Sequence, residues 1–165
     1  MNTQEKQQKY EQLVRDMHAD VYRYAYWLIK DKAIAEDVVQ ETFLRAWKSL
    51  DSLKDDKAAK AWLITILRRE NARRFERKQF DLVDMDDVSL ADDGPMHETQ
   101  IEHGELHKLM ENLSEEYREP LMLQVIFGYN GEEIAQELSL NKNTVMTRLF
   151  RARNQLKEAL EKGEK

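Results

Sequence analysis

The sequence contains no cysteine, and this absence excludes disulfide bonds and thiolate metal sites, including the usual zinc-finger ligand sets. Only two prolines and five glycines interrupt its 165 residues, so helix is favoured nearly everywhere. No apolar run approaches the length that spans a membrane. The first residues, MNTQEKQQKYEQ, lack the apolar core of a signal peptide, and we therefore expect a cytoplasmic protein.

The 26 Lys and Arg residues are outnumbered by 32 Asp and Glu residues, so the net charge at pH 7 is −6, but the positive charge is concentrated in two segments. Residues 57–78 carry a net +6 and residues 138–157 a net +5, whereas residues 79–105 carry −9. Each basic segment is large enough to neutralise several phosphates. The acidic remainder disfavours indiscriminate DNA binding and suits a basic protein partner.

Helical periodicity fails between the two basic segments. The stretch FDLVDMDDVSLADDGPMHETQ is rich in Asp, contains a Gly-Pro pair and has no cation, which is typical of a flexible linker. We therefore predict an all-α fold of two small helical domains, at residues 5–78 and 105–160, joined by an acidic linker at residues 79–104. Neither half contains a pattern typical of a strand.

Residues 130–156, NGEEIAQELSLNKNTVMTRLFRARNQL, have the pattern of a helix, a tight turn and a second helix. Asn130 is expected to cap the first helix in a capping box with Glu133, and Asn141 to cap the second. Apolar residues at steps of four, three and four predict one buried stripe on the second helix. They are Val145, Leu149, Ala152 and Leu156.

The other side of this second helix presents hydrogen-bonding tips suited to base edges, beside cations suited to phosphates. This face carries Asn143, Thr144, Thr147 and Arg151, and it is flanked by Met146, Arg148, Phe150 and Arg153. The pattern is that of a DNA-binding helix-turn-helix, although an ordinary helical hairpin with a solvated basic face has the same periodicity.

The first basic segment, residues 57–78, also predicts a helix, with its arginines on and beside one side and an apolar stripe facing inward. Arg69, Arg73 and Arg77 lie along that side with Arg68 and Arg74 adjacent, and the stripe is Leu63, Ile66 and Leu67. Trp62 and Phe75 are interleaved with the cations. Single-stranded nucleic acid needs such a combination, because bases stack on rings while cations hold the backbone. A core position would explain Trp62 equally well.

An acidic and amide surface is predicted upstream, on a helix over residues 33–47. Asp37, Gln40 and Glu41 share its outer face, opposite an apolar face. As an isolated pattern this is typical of a solvated amphipathic helix. Its position ahead of a basic helix, an acidic linker and a helix-turn-helix makes it informative.

The series AEDVVQETFLRAW, AWLITILRRENARR, an acidic linker, YREPLMLQVIFGYNGEEIA and NTVMTRLFRARNQL closely resembles the bacterial extracytoplasmic-function (ECF) sigma factors. The likeness runs from about Tyr10 to Leu160, in the family's order and spacing. It implies a transcription initiation factor whose two helical domains bind core RNA polymerase and read a promoter. The first domain would recognise and melt the minus-ten element, and the second would bind the minus-thirty-five element.

Carried over to this sequence, the resemblance implies three groups of site residues. Asp37, Gln40 and Glu41 would bind the largest subunit of core polymerase, and the loop at residues 49–57 would accept a base flipped from the minus-ten strand. The minus-ten contacts would be Trp62, Arg68, Arg69, Arg73 and Arg74. The minus-thirty-five contacts would be Asn143, Thr144, Thr147, Arg148, Phe150, Arg151 and Arg153.

The chain departs from the family's usual residues at three positions. The family often has Asn at the position of Arg69 and Asp at that of Arg73, which predicts a differently built minus-ten pocket. Met146 stands where many members carry a polar base-reading side chain. Because a thioether cannot donate a hydrogen bond, we expect weak direct readout there, or a preference for a thymine methyl.

Two other interpretations use different residues. A stand-alone helix-turn-helix regulator would bind duplex DNA without joining polymerase. A metal-dependent helical hydrolase would rely on His103 and His107, with Glu102 or Glu98. The sequence has no Ser-His-Asp order, glycine-rich phosphate loop or HExxH motif. We therefore expect no catalysis, metal or cofactor, and we expect core polymerase, promoter DNA and an anti-sigma factor as partners, without membrane insertion.

Overall fold

A computed structural model describes the backbone of residues 2–84 and 104–163, and the side chains of residues 2–78 and 108–162. The chain divides into two compact units, residues 1–94 and 95–165. Within the described ranges the structure is helical and contains no strand, which confirms the predicted all-α class. The helices are α1 (Thr3–Ile29), α2 (Lys32–Lys48), α3 (Ala59–Asp84), α4 (Gly104–Asn112), α5 (Glu115–Phe127), α6 (Gly131–Leu138) and α7 (Lys142–Gly163).

The first unit is built from α1, α2 and α3, each of which packs against the other two. Asn2 caps α1 and Asp31 caps α2 through side-chain oxygens that accept backbone N–H bonds. The core is mostly aliphatic and also buries the rings of Tyr24 and Phe43. Its fully buried members include Val21, Tyr24, Ala25, Ala35, Ala46, Leu50, Leu63, Ile64 and Leu67.

Helix α3 differs from the sequence prediction in two ways. It continues to Asp84, six residues past Lys78, where we expected helical order to end. Residues 79–84, QFDLVD, contain no glycine or proline that would stop a helix. Its buried stripe includes Ile64, whereas Ile66 is half-buried. The expected acidic linker falls largely on residues 85–103, which lie outside the described residues, so the predicted domain limits stay predictions.

The second unit packs α4, α5 and α6 around α7. Helix α5 ends at Gly128, whose left-handed backbone (φ 70°) allows its N–H to bond to the Gln124 carbonyl. Arg118 is buried and donates to the Leu113 carbonyl at 2.7 Å, and burial lowers the pKa of its guanidinium. The apolar core includes Leu121, Met122, Leu123, Phe127, Ile134, Val145, Leu149 and Ala152.

Candidate functional site

The acidic surface of α2 is present as an exposed face. Asp37 and Gln40 are exposed, and the half-buried Glu41 lies 3.7 Å from Arg45, one turn further along the helix. Leu44, seven residues after Asp37, lies on the same side and is 53% exposed. An exposed leucine beside carboxylate and amide groups suits a protein partner better than DNA. Sequence analysis missed Leu44, because an isolated leucine in an apolar-rich helix reads as core.

The loop at residues 49–57 is bonded to α1 at its middle and near its C-terminal end. It contains two short 3-10 turns, Leu50–Ser52 and Asp56–Ala58, and it buries Leu50 and Leu53. Lys9 of α1 donates from Nζ to the Leu53 carbonyl at 3.0 Å and lies 3.6 Å from the Asp56 carboxylate. Lys9 of α1 therefore holds the loop in place, and the sequence pattern did not identify this lysine.

On α3, the residues predicted to contact the minus-ten element do not all share one side. Trp62 is half-buried, and Arg69 and Arg73 follow it at steps of seven and four, which places the three along one side of the helix. Arg68 projects from another side and is half-buried, and Arg74 lies towards the packed side. Two exposed arginines therefore continue one line from a partly exposed indole.

Glu70 connects this line to α2. Its side chain is buried, and the same carboxylate oxygen, Oε1, contacts Arg45 Nε of α2 and accepts from Arg73 Nη1 at 2.8 Å. Sequence analysis did not single out Glu70, because a glutamate among arginines reads as a solvated charge. Its partner on α2 is visible only in the folded unit.

The helix-turn-helix predicted for residues 130–156 is confirmed. The Asn130 side chain accepts from the Glu133 N–H at 2.9 Å, and the Glu133 carboxylate accepts from the Asn130 N–H at 2.9 Å, which completes the capping box. Ser139 makes the turn in the left-handed region (φ 56°). The Asn141 side chain then accepts from the Asn143 N–H at 2.7 Å and caps α7.

Helix α7 separates a packing side from a polar side, as its pattern predicted. Val145, Leu149 and Ala152 are buried, whereas Leu156, which was also predicted to be buried, is half-buried further along the helix. The predicted contact residues on the opposite side are exposed, apart from Thr144 and Arg148, which are half-buried. An open groove beside α5 is lined by Glu116, Tyr117, Asn143, Thr144, Thr147, Arg148 and Arg151. Amide, hydroxyl and guanidinium groups in one groove can donate to base edges and phosphates.

Two of the predicted arginines are engaged within the unit. Arg148 lies 3.9 Å from Glu116, and Arg153 bonds to Gln124, so both reach towards α5. Arg151 lies between them in sequence and is exposed. Met146 is 47% exposed, and Phe150 is 65% exposed. The aromatic ring of Phe150 is therefore accessible beside Arg151.

In the described part of the chain, no group of three or more His, Asp or Glu side chains is placed to hold a metal ion. His103 and the side chain of His107, on which the hydrolase interpretation depends, lie outside the described residues. No helix within the described ranges is long and apolar enough to cross a membrane.

Two family models match the two halves of the chain. The model for Sigma-70 region 2 matches residues 13–80, which span most of α1 and the whole of α2 with most of α3. The model for Sigma-70 region 4 matches residues 103–156, which contain the helix-turn-helix. The α2 and α3 surfaces thus belong to one family domain, and the α7 surface belongs to the other.

Relatives and solved structures agree with these matches. The chain is 32% identical to RNA polymerase sigma factor SigV of Bacillus subtilis, covering 84% of this chain and 83% of SigV. It is also 32% identical to the ECF sigma factor SigM of the same organism, covering 87% and 90%. The sigma factor RpoE of Bartonella quintana, solved with the anti-sigma factor NepR, aligns with a TM-score of 0.74 at 28% identity, over 93% of this chain and 97% of RpoE. CnrH, solved with the cytosolic domain of CnrY, aligns with a TM-score of 0.66 at 26% identity, over 94% and 89%.

Proposed function

The chain belongs to the ECF sigma factors of bacterial RNA polymerase, and we propose that three of its surfaces divide promoter recognition between the polymerase and the two promoter elements. As a member of this family it is an initiation factor that binds core RNA polymerase and directs it to specific promoters. We infer that it contributes by binding alone, without catalysis, and that it acts in the cytoplasm with the polymerase.

The presence of both sigma domains in one chain, at residues 13–80 and then at residues 103–156, carries this proposal. A stand-alone regulator needs only the helix-turn-helix. It has no use for the exposed α2 face or for a second basic helix preceded by a held loop. The alternative is therefore not favoured.

We assign core polymerase to the α2 face of Asp37, Gln40 and Glu41, and we include the exposed Leu44 in this assignment. Two carboxylates and an amide can bind cationic and polar groups of a protein helix, and an exposed leucine supplies apolar area at the same place. Its acidic character would repel DNA phosphates, so this face and the DNA-binding helices would not compete for the same partner.

The minus-ten element is assigned to α3 and the preceding loop. Flipping a base out of the stack costs a few kcal/mol, which a pocket and stacking must offset. The loop held by Lys9 would supply the pocket, Trp62 an aromatic surface, and Arg69 and Arg73 contacts to the backbone of the melted strand. Melting would then proceed by trapping unpaired bases once the polymerase holds the DNA.

The minus-thirty-five element is assigned to the exposed side of α7. Asn143, Thr147 and Arg151 would face base edges in the major groove, while Arg148 would contribute a phosphate contact from the flank. The structural relatives RpoE and CnrH were solved with NepR and with the cytosolic domain of CnrY. We infer that this chain also has an anti-sigma partner.

Binding to purified core polymerase tests the proposal. Gln40→Ala combined with Glu41→Arg should reduce the amount of chain that is pulled down with core. The double variant removes an amide and replaces a carboxylate by a cation, which would repel the cationic groups of the partner. A matched control is Gln12→Ala combined with Glu11→Arg on α1, where the same residue types are exposed. Failure of the unaltered chain to bind core, or equal binding by both double variants, would overturn the polymerase assignment.

A further inference from the structure

We propose that Glu70 is a positioning residue that holds Arg73 in place for contact with the melted promoter strand. The inference rests on the proposed function, which assigns Arg73 to the minus-ten element. Glu70 itself is buried and has no access to DNA, with only 4% of its surface exposed. It would act through the guanidinium that it binds.

The location of Glu70 makes its pairing obligatory. A buried carboxylate without partners is strongly disfavoured, since burial removes its hydration. Here Arg45 approaches Oε1 from α2 and Arg73 binds the same oxygen from the next turn of α3. One carboxylate oxygen thus binds a cation from its own helix and a cation from the neighbouring helix. Arg45 in turn lies 3.7 Å from Glu41, so the pairing continues to the α2 face.

Arg73 is bonded to Glu70 and is still exposed to solvent. One of its N–H groups is used at 2.8 Å, while 44% of its side chain stays exposed. A guanidinium has five N–H donors, so donors remain for a phosphate or a base. A free arginine loses rotamer freedom when it binds DNA. An arginine already fixed by a buried carboxylate loses less, which corresponds to an affinity gain of about three- to tenfold.

Arg69 provides a matched comparison. It lies one turn before Arg73 on the same side of α3 and is exposed. Among the described residues it has no hydrogen bond or ion pair with Glu70. If Glu70 acts by positioning Arg73, the loss of promoter affinity on replacing Glu70 should require an arginine at position 73. The same loss should be unaffected by the residue at position 69.

A double-mutant cycle in the assembled holoenzyme tests this. The dissociation constant for a cognate promoter is measured for Glu70→Gln in three backgrounds: unaltered, Arg73→Ala and Arg69→Ala. We expect a three- to tenfold loss in the unaltered and Arg69→Ala backgrounds, and less than about a twofold loss in the Arg73→Ala background. Core binding by Glu70→Gln is measured in parallel, and promoter affinity is compared among holoenzymes assembled with saturating core. Glu70→Asp, which keeps the charge but shortens its reach, enters the same cycle if Glu70→Gln fails to fold.

The outcomes separate this inference from the proposed function. Equal losses for Glu70→Gln with and without Arg73, or no loss at all, would overturn the positioning role while leaving a DNA contact by Arg73 intact. Unchanged promoter binding by Arg73→Ala alone would remove Arg73 from the minus-ten site, and the positioning role with it.

Discussion

Met146 of α7 packs against Gly131 at the start of α6: a Cβ atom built on Gly131 would lie 2.7 Å from the Met146 Sδ atom. Met146 therefore occupies the space that a side chain at position 131 would need. The same side chain is 47% exposed.

Substitution of Gly131 should depend on residue 146. Gly131→Ala alone is expected to be neutral or destabilising by up to about 1 kcal/mol, because the Cβ displaces the Met146 side chain. In a Met146→Ala background the same change should stabilise the unit by about 0.4 to 1 kcal/mol, through reduced entropy of the unfolded chain. Hydrogen exchange of the α6 amides would measure both. The same sign in both backgrounds would contradict the contact.

Arg151 and Arg153 should differ in their importance for promoter binding. Arg151→Ala is expected to weaken binding of holoenzyme to a promoter by roughly 1 to 3 kcal/mol and to reduce its preference over scrambled duplex. Arg153→Ala removes the same charge from the same helix. Because the Arg153 guanidinium is bonded to Gln124, we expect a smaller loss of promoter affinity than for Arg151→Ala. Titration of labelled promoter at fixed salt would compare them. Unchanged discrimination by Arg151→Ala would refute a base contact.

Lys9→Met should loosen the loop at residues 49–57 without unfolding the first unit. The substitution keeps the apolar stem but removes the donor to the Leu53 carbonyl and the cation near Asp56, at an expected cost of about 1 kcal/mol. Amide exchange in the loop should accelerate, and open-complex formation should slow. Lys32→Met, at an exposed lysine of the same unit, serves as the control. Loss of promoter opening with unaltered loop exchange would argue against tethering.

Two tyrosines should respond in opposite directions to loss of the hydroxyl. The Tyr129 hydroxyl is buried and has no hydrogen-bond partner among the residues that the structure describes, so Tyr129→Phe should stabilise the second unit by about 1 kcal/mol at neutral pH. The Tyr10 hydroxyl donates to the Phe43 carbonyl at 2.8 Å, so Tyr10→Phe should destabilise the first unit by a similar amount. Urea unfolding followed by residue-resolved exchange would separate the two units.

The pH dependence of Tyr129 follows from its burial. Desolvation raises the pKa of its phenol above the ordinary value of 10.0, with smaller effects from Glu137 and Glu133. A raised pKa means that the folded state favours the neutral form. Below about pH 10 the phenol is neutral in both the folded and the unfolded state, so the free energy of unfolding does not depend on its titration. Above about pH 10 the unfolded chain loses the phenolic proton first, and the free energy of unfolding falls as pH rises towards the folded-state pKa. Stability of the unaltered chain should therefore fall above pH 10, and that of Tyr129→Phe should fall less.

Local sequence patterns were sufficient for the helix-turn-helix. Its caps depend on residues two or three positions apart, and its stripe on steps of three and four, so Asn130, Asn141 and Val145 could be placed from sequence alone. Ile66 shows what helical periodicity does not predict. Ile64 and Ile66 lie on opposite edges of the stripe formed by Leu63 and Leu67, and periodicity does not decide which edge faces another helix.

Contacts across the fold could not be predicted in this way. Lys9 reaches a carbonyl 44 residues away, and Glu70 reaches Arg45 on a different helix. A period describes which side of one helix is apolar, but it carries no information on which polar group lies opposite. Both residues were therefore indistinguishable from solvated charges until the three helices of the first unit were packed together.

The two sides of α7 have different roles, one in folding and the other in the proposed DNA binding. The unit folds through Val145, Leu149 and Ala152, whereas Asn143, Thr147 and Arg151 are exposed, where substitutions usually change stability by less than about 0.5 kcal/mol. Promoter preference can therefore diverge during evolution with little penalty in folding. The same separation makes α7 a suitable helix for reprogramming this factor towards a chosen upstream element.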